Sequence, residues 1–205
     1  MSSGPDVYGS AARPGWRTRL ASRGAARARR RRHARLISLT GADEQTRILD
    51  VGCGALGLRA LAPTFDITGL DVAIPAHYPW PFVQADATER LPFDDDAFDL
   101  AYSSSVVEHI PPDRRAPFAA EIKRVARGYY VQTPAWEFPI EPHSLLPFAH
   151  LLPEGAQRAY WRLGVAGDWE RIEMLRRSDM ATLFGAPIAE RVGPLVKSWI
   201  SVRAP

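Results

Sequence analysis

Cysteine is almost absent, with one among 205 residues, so neither an intramolecular disulfide framework nor a cysteine-built metal site can form. Long apolar runs are missing too, and nothing approaches the ~18 consecutive apolar residues that span a bilayer. The first sixteen residues, MSSGPDVYGSAARPGW, lack the apolar core of a secretory leader, so a cytoplasmic protein is expected. Composition is not extreme in either direction: 46% hydrophobic and 24% charged residues exclude global disorder and fibrous classes. A chain of this length suits one well-filled domain with modest extensions.

Lysine is scarce as well, and the basic charge is nearly all arginine, a preference that genome composition can explain. The net charge of +3 hides an asymmetry. Residues 1–47 carry +8, and the rest of the chain carries −5. We read residues 1–40 as a basic N-terminal arm and helix. The segment from Ser22 to Leu39 is rich in Ala and Arg, with Ser22 as cap, Leu36 and Leu39 facing a core, and Gly41 as stop. Such an arm can be a solvated helix, a nucleic-acid contact or a membrane contact. It lacks interleaved aromatics for stacking bases, and its apolar face is thin.

Residues 41–205 read as an α/β domain. Short apolar runs at Arg47–Val51, Ile67–Asp71, Phe82–Gln84, Phe98–Ser103 and Gly128–Thr133 have the look of strands buried on both faces. Helical spacers such as Arg114–Ala126 separate them, and Asp168–Phe184 reads as a further helix. PIAERVG and LVKSWISVR, joined at Gly193–Pro194, predict an antiparallel hairpin. Residues 134–167, dense in Pro, His and aromatics, form an inserted cap.

ILDVGCGALGL, Ile48–Leu58, is the sharpest local signal. A strand ending in Asp50 meets Gly52, Gly54 and Gly57, residues suited to a turn that lets a ligand approach backbone closely. Asp71 ends the next strand, where a carboxylate can accept both hydroxyls of an adenosine ribose. Gly52-x-Gly54-x-x-Gly57 also fits a dinucleotide fingerprint, so an NAD-dependent oxidoreductase stands as one reading. Asp50 argues the other way, since an anion beside the loop suits a cationic sulfonium cofactor better than a pyrophosphate. A glycine turn with no ligand is the plainest alternative.

ILDVGCG, GLDVA, ADATERLPFDDDAFDL and SSSVVEHI follow in order from Ile48. In this ordered set the chain resembles the class I S-adenosylmethionine-dependent methyltransferases, in particular the type-11-like group, across about Ile48–Thr133. Gly57 stands one place later than the family's usual third glycine, and Leu56 occupies that place. The resemblance implies a Rossmann-like methyltransferase fold: a mostly parallel seven-stranded sheet, helices on both faces, and a C-terminal antiparallel hairpin. It also implies the cofactor S-adenosylmethionine. Asp50, Gly52, Cys53 and Gly54 would line the methionine and ribose side, and Asp71 would hold the ribose hydroxyls beside Val72. Asp86 would accept from the adenine amino group, with Ala87 offering backbone, and Ser103 would pass near the methionine portion.

His109 follows the fourth strand and is either the base that deprotonates an acceptor or a structural histidine. Cys53 reads as a small loop filler rather than a nucleophile. The stretch from Pro134 to Pro153 is similar to one in some bacterial members of the family. Its Phe138, His143 and Phe148, with Trp136 and His150, either line an acceptor pocket or pack the cap. The implied activity is methyl transfer to an O, N or C atom of a small, membrane-associated or lipid-linked metabolite, with no metal required. An RNA methyltransferase using the arginine arm and a non-catalytic cofactor-binding protein are the alternatives. Acceptor and oligomeric state are not legible.

Overall fold

A computed structural model of the chain describes residues 31–75, 78–164, 169 and 171–205. The arginine-rich stretch before residue 31, including the expected helix start at Ser22, lies outside the described residues. So does Asp168.

Seven strands form one sheet: β1 (Arg47–Val51), β2 (Asp66–Asp71), β3 (Phe82–Gln84), β4 (Phe98–Ser104), β5 (Ala126–Pro134), β6 (Ile188–Val192) and β7 (Leu195–Arg203). Their order is β3-β2-β1-β4-β5-β7-β6. The first five pair in parallel, and β7 runs antiparallel to β5 and to β6. The central strands are nearly continuous apolar runs because both faces are covered. Side chains alternate between the faces with period two. Ile48, Leu100, Tyr102 and Tyr130 point to one side, and Leu49, Val51, Ala101, Tyr129 and Val131 to the other.

On the first face, helix α1, described over residues 31–40, buries Leu36 completely against Ile48, Leu58, Phe65 and Tyr130, with Leu39 packed alongside. Its end is set by Gly41, whose amide donates to the Ile37 carbonyl at a φ of 72°. On the second face lie α2 (Arg115–Val125) and α4 (Arg177–Phe184). Phe118, Ile122 and Val125, spaced by four and three, make the buried stripe of α2. Each such fully buried apolar side chain stabilises the fold by roughly 1.5–3 kcal/mol.

Two expectations need revision. Among the described residues of the expected helix Asp168–Phe184, only Arg177–Phe184 is helical, while Leu175 bridges Ala135 in extended form. The Asp179 carboxylate accepts the Arg176 amide at 2.7 Å, and this cap fixes the later start. The crossovers are also leaner than a full alternation of strand and helix. Among the described residues β1–β2 has a single 3-10 turn (Gly57–Ala60), β2–β3 and β3–β4 have loops, and only β4–β5 carries an α-helix.

The segment after β5 is compact. It contains a bridge between Ile140 and Pro147, a 3-10 turn (Ala149–Leu151) and α3 (Glu154–Trp161). Ala135, Ala149 and Trp161 are buried, whereas Leu145, Phe148 and Leu151 are more than half exposed.

Candidate active site

Parallel strands with the order reversing between β1 and β4 open a crevice at their carboxyl ends. Such a cleft of about 270 Å³ is present there, and its walls include Gly52, Asp71, Val72, Asp86, Ala87 and His109. Six residues expected to bind cofactor or act in catalysis are thus brought together from four separate strand ends.

The loop after β1 is built by its glycines. Gly52 and Cys53 donate their amides to the Leu70 carbonyl at 2.7 and 3.2 Å, which folds the loop back over β2. Gly52 has a φ of 75°, and a Cβ there would stand 2.3 Å from a Val106 methyl. The site therefore needs glycine on both counts. Gly57 has a different task. Its Cβ would lie 2.0 Å from Asp50 Oδ2, so the glycine leaves room for that carboxylate, which accepts the Leu58 amide at 2.6 Å.

Asp50 consequently braces the loop from beneath and is only 2% exposed, rather than lining the cleft. Burial pushes its carboxyl up to about 7, against the pull of the Leu58 amide. Cys53 also sits behind the loop, and burial, followed by the nearby Asp50 and Asp71, raises its thiol to about 12. It is no nucleophile near neutrality, in accord with the filler reading. Ser103 is buried beside Val51 in the sheet, and its hydroxyl has no hydrogen-bond partner among the described residues.

Asp71 ends β2 with its carboxylate turned back to the loop. Oδ2 accepts the Gly54 amide at 2.9 Å and Oδ1 accepts the Ala73 amide at 3.2 Å. Val72 next to it is 64% exposed, an uncovered apolar surface on the cleft wall. Asp86 accepts the Thr88 amide and hydroxyl at 2.8 and 2.7 Å, and its other oxygen faces Arg114 at 3.3 Å. Burial opposes ionisation there, but the Thr88 bonds and the Arg114 guanidinium outweigh it and hold the carboxyl below the usual range.

Beyond β4 the chain turns sharply. Ser105, which also lines the cleft, adopts a φ of 59°, and a 3-10 turn (Val107–His109) follows. His109 reaches the cleft wall, and its Nε2 lies 3.2 Å from Nε2 of His143. His143 Nδ1 lies 2.7 Å from Glu141 Oε1. Burial disfavours charge on Glu141, yet bonds from His143, from the Ser144 hydroxyl and from both backbone amides bring its carboxyl to about 2. Glu108 is 1% exposed. Its Oε2 accepts the Thr133 hydroxyl at 2.9 Å, and its Oε1 has no hydrogen-bond partner among the described residues. Burial raises the Glu108 carboxyl.

Of the insert residues singled out in the sequence, His143 alone meets the cleft, through His109. Phe138 and Phe148 are not among the residues lining it. Phe148 is 56% exposed and sits in the left-handed region with a φ of 57°, its amide tied to the Pro139 carbonyl at 2.6 Å. Glu108 and Glu141 were missed in the sequence reading. The Glu-His dipeptide and the Glu-Pro-His tripeptide are the signals that could have marked them.

Residues 49–129 match a family model described as a methyltransferase domain. The fold is similar to that of an S-adenosylmethionine-dependent methyltransferase from Methanosarcina mazei (17% identity, 78% of this chain and 92% of that one, TM-score 0.51). It is also similar to a magnesium protoporphyrin IX methyltransferase from Synechocystis PCC 6803 with bound S-adenosylhomocysteine (14% identity, 95% and 90%, TM-score 0.59). A third likeness is to a 1,6-didemethyltoxoflavin-N1-methyltransferase from Burkholderia thailandensis (15% identity, 85% and 76%, TM-score 0.57). At these identities the likeness establishes the Rossmann-like methyltransferase fold. No curated protein matches the sequence.

Proposed function

We propose that the chain, whose residues 49–129 match a methyltransferase-domain model, transfers a methyl group from S-adenosylmethionine to a small or membrane-associated metabolite. The observation that carries this reading is the cleft itself. Gly52, Asp71, Val72, Asp86 and Ala87 come from three consecutive β-strand ends and meet in one space.

These residues fit an adenosine-bearing cation. At Gly54, with a φ of 52°, nothing lies within 4 Å of where a Cβ would stand, so backbone there is open to a ligand. A carboxylate has about four lone-pair sites, and the two backbone bonds of Asp71 leave two for a ribose diol. Val72 offers the exposed apolar face that an adenine ring covers, and Asp86 and Ala87 stand where the ring's amino edge would be met. Gly54 at the rim and the orphan hydroxyl of Ser103 are assigned to the amino-acid portion, with Asp50 and Cys53 shaping the loop from below. When bound, S-adenosylmethionine would supply a methyl already activated by the sulfonium charge, with a neutral thioether as the leaving group.

What the protein adds is alignment of donor and acceptor in a fixed geometry. The acceptor is an O, N or C atom of its metabolite, delivered at the His109 end of the cleft. His109 is the histidine of the cleft wall and the point at which an acceptor is handled. Exposed Leu145, Phe148 and Leu151 on the neighbouring insert favour an acceptor with apolar or lipid character. The test is turnover: S-adenosylhomocysteine release with a panel of hydroxylated, amine and lipid-linked acceptors. Stoichiometric release with one class supports the reading. Binding without release from any acceptor would reduce the protein to a cofactor-binding module.

A further inference from the structure

Two imidazole nitrogens and a buried carboxylate converge where the cleft meets the insert. Ligand atoms of Glu108, His109 and His143 all lie within 4.8 Å of one another. The Nε2 atoms of the two histidines face each other at 3.2 Å, with the ring planes at 88°. If both bind one cation at the usual Zn–N length, this separation sets an N–Zn–N angle of about 100°, close to tetrahedral.

Three further features fit a metal site. His143 has its Nδ1 2.7 Å from Glu141 Oε1, the arrangement in which Nδ1–H donates to the carboxylate and Nε2 carries a lone pair. Glu141 is itself held by Ser144 and by backbone amides, so the ring is anchored on a rigid support. Glu108 offers a buried carboxylate oxygen with no hydrogen-bond partner among the described residues, which costs free energy unless a proton or a cation meets it.

We propose that Glu108, His109 and His143 bind one divalent first-row transition cation, of which zinc is the representative, with a coordination position open to the cleft. Two histidines and one carboxylate leave that position for water or an acceptor atom, as in catalytic zinc sites. The expectation that no metal is required considered only the donor, whose leaving group is already activated. The cation would serve the acceptor: it orients a hydroxyl at the cleft and favours its ionised form. His109 then acts through the cation rather than as a free base. This deepens the methyltransferase reading and rests on it for the identity of the ligand in the cleft.

The test uses the tag-free full chain, titrated calorimetrically with Zn2+ and followed in visible absorption with Co2+. One equivalent of Zn2+ should bind, and Co2+ should give the strong d–d bands of a four-coordinate site. His143→Ala should weaken Zn2+ binding by more than the ~10–100-fold that losing an outer partner costs, and Glu141→Gln should weaken it within that range. Affinity for S-adenosylhomocysteine should stay within threefold in both. Should His143→Ala fail to fold, Glu141→Gln and Glu108→Gln carry the comparison. No uptake of either metal by the wild type, or uptake unchanged in these variants, overturns the proposal and leaves a hydrogen-bonded histidine pair. Loss of S-adenosylhomocysteine binding in the wild type would instead strike the methyltransferase reading, and the metal readout would stand apart from it.

Discussion

Replacing Asp71 with alanine separates the cofactor's hold from the loop's architecture. The carboxylate accepts Gly54 and Ala73 amides at 2.9 and 3.2 Å, and the two lone-pair sites that remain are assigned to the ribose hydroxyls. Hydrogen bonds to a charged group contribute about 1.5–3 kcal/mol each. Water replaces part of that in the variant, so we expect a net loss of at least about 2 kcal/mol, or roughly 30-fold in the dissociation constant for S-adenosylhomocysteine. Both loop bonds lie at the surface, and their amides can turn to solvent. The ligand-free Tm should therefore fall by no more than about 2–4 °C, the equivalent of ~1 kcal/mol in a chain of this size. Isothermal titration and a thermal melt on the same samples read both quantities. A dissociation constant within threefold of wild type would refute the reasoning and place the ribose elsewhere. A large Tm loss with unchanged affinity would make Asp71 a structural brace only.

Three other outcomes are expected. Gly57→Ala puts a methyl against Asp50 Oδ2 at positive φ, so denaturant unfolding should show about 2–4 kcal/mol of destabilisation from strain and the displaced Leu58 bond; under ~0.5 kcal/mol would contradict the packing. Asp50 titrates at about 7 when folded, above its unfolded value of 3.8, so the native state holds the extra proton. Its stabilising contribution is full below about pH 4 and disappears as pH rises through 7. Relative to wild type, Asp50→Asn should gain about 1 kcal/mol per pH unit between pH 5 and 7 in urea titrations, and a parallel pH profile would refute this. Phe148→Asp should fold and bind S-adenosylhomocysteine like wild type, because the ring is mostly exposed and aspartate tolerates the left-handed backbone better than phenylalanine; loss of Tm or of affinity would show that the ring packs inward.

Much of the fold was legible because short, doubly buried strands announce themselves as apolar runs ending in glycine or acid. β1 and β3 match their expected limits, and β2 and β4 differ by one residue at one end. The hairpin was visible for the same reason, with Gly193–Pro194 between its strands. The acids of the cleft, Asp71 and Asp86, were found because each sits at a strand end, where sequence order and spatial order coincide. The Glu108–His109–His143 cluster was not, since its halves lie 34 residues apart and meet only because β5 returns the chain past β4. Asp50 was misplaced because a strand pattern tells which face a residue takes, not whether a glycine further on will open a socket for it. Phe148 was misplaced for a related reason: an aromatic between prolines looks like a pocket wall until the fold leaves it mostly exposed.

The central claim is that the cleft at the strand ends takes S-adenosylmethionine and its product rather than a nicotinamide dinucleotide. The most direct measurement is calorimetric titration of the full chain with S-adenosylhomocysteine and, separately, with NAD. The account predicts a single saturable site for S-adenosylhomocysteine, lost in step with Asp71→Ala, and no heat of binding with NAD. Saturable binding of NAD with no response to S-adenosylhomocysteine would contradict it.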